Sequence, residues 1–92
     1  MKVYIAGAVS GLPEGDVFVK FNTAEFRLKQ AGHVVVNPLR LVSQKWDWEK
    51  CMKACITALV QCDAIHLLPD WGESKGARLE YHIAQELKLK VI

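Results

Sequence analysis

DAIHLLPDWGESKGARLEYHIAQEL, residues 63–87, is the stretch on which the fold turns. Asp63–Leu68 has the short apolar run of a buried strand, Pro69–Glu73 is rich in turn formers, and Ser74–Leu87 has helical spacing. At about 100° per residue, Gly76, Ala77, Ile83, Ala84 and Leu87 fall on one face of that helix. Glu80 lies in the middle of the same stripe, whereas Arg78 and His82 point away. A carboxylate on an apolar stripe must be paired, hydrated or neutralised, because desolvating an isolated charge costs several kcal/mol or more. Glu80 therefore either has a structural partner or faces a cleft and does chemistry.

Working outward, the same strand–loop–helix grammar recurs. Lys2–Ala6 reads as a strand, followed by a turn-rich loop over Gly7–Gly15. A helix follows with Asp16 as N-cap and Val17, Phe21, Ala24 and Leu28 on its apolar face, ended by Gly32. His33–Val36 is a second strand, closed by Asn37-Pro38, and residues 39–46 form an irregular connection. Asp47 caps a second helix that buries Trp48, Met52, Cys55, Ile56 and Leu59, and Lys90–Ile92 begins a fourth strand.

The order β-α-β-α-β-α-β calls for parallel strands joined by right-handed crossovers. The expected fold is a flavodoxin- or Rossmann-like three-layer α/β sandwich over residues 1–92, with a four-stranded parallel sheet in the order 2-1-3-4. Ligands of such sheets sit beyond the carboxyl ends of the strands, where the winding direction reverses. The Gly7–Gly15 loop, the Pro69–Glu73 loop and the start of the Glu80 helix all emerge there.

Composition narrows the classes of function. The 92 residues suffice for one small core, with 51% hydrophobic and 24% charged side chains. A net charge of +2 gives no argument for a nucleic-acid or membrane partner. No apolar run approaches the ~20 residues of a membrane span, and the N-terminus lacks a signal peptide's apolar stretch, so a cytoplasmic location is expected. Cys51, Cys55 and Cys62 cluster in or just after one helix. They suit neither a disulfide framework nor a zinc site, and read as free buried thiols. No metal or organic cofactor is called for.

Several residues at the expected cleft have two readings. The first loop, with Gly7, Ser10 and Gly11, suits a phosphate or ribose, or is an ordinary tight turn; it is neither G-x-G-x-x-G nor a P-loop. Ser74, ahead of Gly76, is an N-cap or an anion ligand. Trp71 stacks on a base or plugs the domain's end, and Asp70 is near enough to touch a sugar hydroxyl. Trp46 and Trp48 read as packing residues. Arg40, Lys45, Lys75 and Arg78 are candidates for an anion-attracting rim, which spacing alone does not place.

Taken together, Val3-Tyr4-Ile5-Ala6-Gly7, Ser10-Gly11-Leu12-Pro13, Ala31-Gly32-His33, Asn37-Pro38, Asp47-Trp48, Cys62-Asp63-Ala64-Ile65 and Leu67–Trp71 with Ser74–Glu80 resemble the DUF4406 branch of the nucleoside 2-deoxyribosyltransferase-like superfamily. These are small phage and bacterial proteins, and the resemblance spans nearly the whole chain. It implies cleavage of N-glycosidic bonds of deoxynucleosides or deoxynucleotides, or deoxyribosyl transfer, with Glu80 as nucleophile and a glycosyl-enzyme intermediate. By the same resemblance Ser10, Gly11 and Ser74 hold a 5′-phosphate, Tyr4 contacts sugar or base, and the protein is a homo-oligomer of two or more copies. The exposed edge of the last strand points to self-association as well. The superfamily usually has an aspartate near the leaving base where this chain has Cys55, and Ala8 replaces a proline common in the branch's first loop. Three readings follow: a glycosyl-transferring enzyme, a nucleotide- or phosphosugar-binding module without turnover, and a structural role with Glu80 in a buried ion pair.

Overall fold

The computed structural model describes residues 1–92. Its strands are β1 (Lys2–Ala6), β2 (Val34–Val36), β3 (Ala64–Leu67) and β4 (Lys90–Val91). Its helices are α1 (Glu14–Gln30), α2 (Trp48–Leu59) and α3 (Lys75–Glu86), with short 3-10 turns at Pro38–Arg40 and Trp71–Glu73. The four strands form one all-parallel sheet in the order β2-β1-β3-β4. The expected α/β three-layer sandwich, with its strand order, is the fold of this chain.

β1 is the central strand and carries the core. Val3, Tyr4, Ile5 and Ala6 are fully buried because alternate side chains feed opposite layers. Tyr4 and Ala6 pack with Cys55, Leu59, Ile65, Ala77 and Ala84, beneath α2 and α3. Ile5 packs with Val17, Phe21, Ala24 and Leu68, beneath α1. In register, Tyr4 stands beside Ile65 and Ile5 beside His66. The far end of the sheet is stitched by Asp63, whose carboxylate accepts from the Lys2 amide (2.9 Å) and whose own amide donates to the Lys2 carbonyl (2.8 Å). His66 is half-buried, with Nδ1 2.9 Å from the Ile92 carbonyl oxygen.

Local differences from expectation have physical causes. Asp16 is not the cap of α1; the helix begins at Glu14, and the Pro13 carbonyl accepts from the Asp16 and Val17 amides (both 3.1 Å). Asp16 and Glu14 instead place negative charge on the first turn, against the positive end of the dipole. Asp47 does cap α2, accepting from the Lys50 amide (2.8 Å), and Ser74 caps α3, accepting from the Ala77 amide (3.1 Å). Trp48 and Ile56 are only half-buried, and Leu87 is 51% exposed because α3 ends at Glu86. No helix is long and apolar enough to cross a membrane.

Candidate active site

An open cavity of about 920 Å³ lies beyond the carboxyl ends of β1 and β2, bounded by all three helices. Its size is that of a small-molecule site. On its floor sits Glu80, 6% exposed, projecting from the second turn of α3. The Tyr4 hydroxyl, from β1, donates a hydrogen bond to Glu80 Oε2. No lysine, arginine or histidine pairs with this carboxyl, so the buried ion pair of the structural reading is not formed. The chain's ion pairs are Lys20–Asp70, Lys29–Glu25 and Arg40–Glu25.

Burial without a counter-charge sets the protonation of the floor. Desolvation raises the Glu80 pKa from 4.5 to about 7, and the hydrogen bond from Tyr4 opposes that rise only in part. Burial, and then the charge of Glu80, push the Tyr4 phenol far above its ordinary range, so it stays a donor. Cys55, from the middle of α2, lines the same floor. Burial raises its thiol to about 11; the Tyr4 hydroxyl opposes this, and Glu80 and Cys51 add to it. At neutral pH the site thus holds a carboxyl near its midpoint between two groups that keep their protons.

Of the residues expected to bind substrate, Tyr4, Gly7, Ser10, Ser74, Gly76 and Glu80 come together around this cavity. Gly11, Asp70 and Trp71 do not line it. Gly11 turns the loop with φ +79° in open space. Asp70 accepts from the Ala8 amide (3.1 Å) and pairs with Lys20, whose ammonium also donates to the Ala8 carbonyl (2.7 Å). Burial alone would raise Asp70, but the Lys20 hydrogen bond, the Ala8 amide and the Lys20 charge outweigh it and hold the carboxyl below its usual range. Its task is to tie the first loop to the end of β3. Trp71 packs on Tyr81, ring centroids 4.7 Å apart, and so plugs the domain's end.

Of the three glycines at the cavity, Gly7 and Gly76 serve packing. A Cβ on Gly7 would meet Leu68 Cδ1 at 2.6 Å and Leu68 Cβ at 2.9 Å. A Cβ on Gly76 would stand 3.0 Å from Met52 Sδ, so this residue lets α3 approach α2. In the first loop, the amides of Val9, Ser10 and Gly11 have no acceptor within the chain.

Several lining residues lie outside the quoted motifs: Phe18, Glu14, Trp46 and Cys51. The signal available for the α2 group was the i, i+3, i+7 spacing of Trp48, Cys51 and Cys55, which is equally a packing stripe. None of the cations expected at a rim, Arg40, Lys45, Lys75 and Arg78, lines the cavity. Arg40 is held by Glu25 (2.7 and 2.9 Å) and Arg78 donates to the Gly72 carbonyl (2.8 Å). Lys75 lies over the Trp48 ring (4.2 Å) and Lys50 over that of Trp46 (4.5 Å), and none of these cations lines the cavity. No group of three or more His, Cys, Asp or Glu side chains is placed to hold a metal ion, and all three cysteines are free.

A search among curated proteins returned no significant match. A family profile described as a domain of unknown function, DUF4406, matches residues 1–92. The chain, matched over its full length, belongs to the DUF4406 family.

Proposed function

We propose that this protein cleaves the N-glycosidic bond of a nucleoside or deoxynucleotide, or transfers its sugar, with Glu80 as nucleophile. The observation that carries this reading is a buried carboxyl, unpaired with any cation, on the floor of a cavity beyond the carboxyl ends of β1 and β2. In its ionised form one carboxylate oxygen attacks the anomeric carbon, the base departs, and water or a second base takes the sugar from the glycosyl ester. Tyr4 holds the attacking carboxylate in place. Ser10, Ser74 and the free amides of the first loop supply neutral donors for sugar oxygens. The likeness to the nucleoside 2-deoxyribosyltransferase-like superfamily supports the same assignment.

Incubation with deoxynucleosides and their 5′-monophosphates tests it. Free base should appear on chromatography and vanish with Glu80→Gln; no base from any of them or from a pyridinium nucleoside, with the protein folded, contradicts it.

A second reading is a module that binds the same ligands without turnover, and the thiol of Cys55 where relatives in the superfamily carry an aspartate favours it. Saturable binding by calorimetry without base release would select it. Self-association is proposed with either reading, because β4 leaves an exposed edge at Lys90–Val91. Sedimentation velocity should show a species larger than the 10.4 kDa monomer.

A further inference from the structure

We propose that the site selects cationic N-glycosides without a 5′-phosphate, such as pyridinium nucleosides, whose base leaves as an uncharged heterocycle. This inference rests on the N-glycosidase reading of Glu80 and concerns the chemistry of the substrate.

The first argument is charge. No lysine, arginine or histidine is among the residues that line the cavity, whereas two glutamates are, Glu80 on the floor and the exposed Glu14 at the first turn of α1. Of the nearby cations, Lys20 is held by Asp70, Arg40 by Glu25 and Arg78 by the Gly72 carbonyl, while Lys75 and Lys50 lie over the rings of Trp48 and Trp46. A phosphate entering here would meet neutral donors and two carboxylates, with no cationic side chain among the lining residues. A positively charged ring meets carboxylates and the aromatic ring of Phe18, while Trp46 and Trp48 each already have a lysine over one face.

The second argument is the fate of the leaving group. Breaking the C1′–N bond of a neutral nucleoside leaves the electron pair on the base nitrogen, which must be protonated. The floor offers no ready acid. The Tyr4 proton is committed to Glu80, and Cys55 is a thiol held near 11. In a pyridinium nucleoside the same electron pair cancels the ring's positive charge, and no proton is needed. A Glu80 oxygen forms the bond to C1′ as the C1′–N bond breaks and the neutral base leaves. Water then hydrolyses the ester, giving the free sugar, the Glu80 carboxylate and one proton to solvent. The lack of an acid, a defect for a neutral substrate, is no defect for this one.

The test measures base release from nicotinamide riboside, nicotinamide mononucleotide, adenosine and 2′-deoxyadenosine, each divided by its uncatalysed rate. Nicotinamide riboside should show an enhancement at least ~100-fold above that of either adenine nucleoside, the scale of a missing general acid. Its 5′-phosphate should lower the enhancement roughly tenfold or more. With nicotinamide riboside the rate should rise with pH through about 7 on a single ascending limb, as Glu80 ionises among Tyr4, Cys51 and Cys55 with no acid to titrate away. Cys55→Asp should narrow the ratio by speeding the adenine nucleosides; the wild-type pH profile stands if that variant does not fold.

Equal enhancement for neutral nucleosides, a preference for the phosphorylated compound, or a bell-shaped profile overturns the inference. If adenine nucleosides are cleaved with an enhancement equal to that of nicotinamide riboside and Glu80→Gln silences them, the N-glycosidase reading survives and this one falls. If no compound releases base, both fall.

Discussion

Glu25 and Glu80 are equally buried, at 6% exposure each, and the fold treats them in opposite ways. Glu25, on α1, accepts two hydrogen bonds from Arg40 and has Lys29 one turn along at 3.7 Å. The Arg40 hydrogen bond outweighs burial and holds its carboxyl below the usual range. Glu80 has only the phenol of Tyr4, and burial takes its carboxyl up to about 7. A glutamate that serves architecture is given its counter-charge; one left without it, on a cavity floor, is held in a state that stability alone would not select.

The largest separation between the two is expected in activity. Glu80→Gln should reduce base release at least 10³-fold, the order seen when a nucleophile is removed, and Glu25→Gln should leave the rate within a few-fold at a temperature where both are folded. A comparable loss in both variants would erase the distinction.

Next is stability against pH, where the signs oppose. The Glu80 carboxyl titrates near 4.5 when unfolded and about 7 when folded, so the folded state holds the extra proton and stability falls as pH rises through that window. The change is on the order of 3 kcal/mol. Glu80→Gln removes it, so urea unfolding at pH 5 and pH 8 should show the variant gaining on the wild type by about that amount. Glu25 behaves conversely: its depressed carboxyl contributes stability that is present above about 4.5 and is lost as pH falls through the folded value. Glu25→Gln should cost about 1 kcal/mol at pH 7, because Arg40 is largely exposed and the pair is screened by solvent, and the deficit should shrink in acid.

The smallest effect is expected from Tyr4→Phe. It removes the only hydrogen bond that draws Glu80 toward ionisation, so the ascending limb of any pH–rate profile should move to higher pH. Stability should change by about 1 kcal/mol, and a limb that stays in place would show that the phenol does not govern this carboxyl.

Much of this arrangement is legible in the residues. Helices alternating with short apolar strands leave few topologies, and the expected order 2-1-3-4 is one of those that right-handed crossovers allow. Glu80 betrays itself by its phase on α3, since a charge on an apolar stripe conflicts with periodicity. The pairings are less legible, because partners are set by tertiary approach. Nothing in Lys20 or Asp70 alone announces that they clasp Ala8 between them, 50 residues apart in sequence, and so Asp70 reads as a ligand for sugar. Trp46 and Trp48 look like packing residues because a cavity wall and a core use the same side chains. Asp16 is misread as a cap because Pro13, with no hydroxyl or carboxylate, starts α1 through its carbonyl.

The most direct test is to trap the glycosyl-enzyme. The protein would be incubated with 2′-deoxy-2′-fluoro analogues of nicotinamide riboside and adenosine, which slow hydrolysis of the ester, and analysed by intact mass and peptide mapping. The expected result is one added sugar, mapped to Glu80 and absent from Glu80→Gln. A folded protein that acquires no sugar from either analogue, or carries it on another residue, contradicts the assignment of Glu80 as nucleophile.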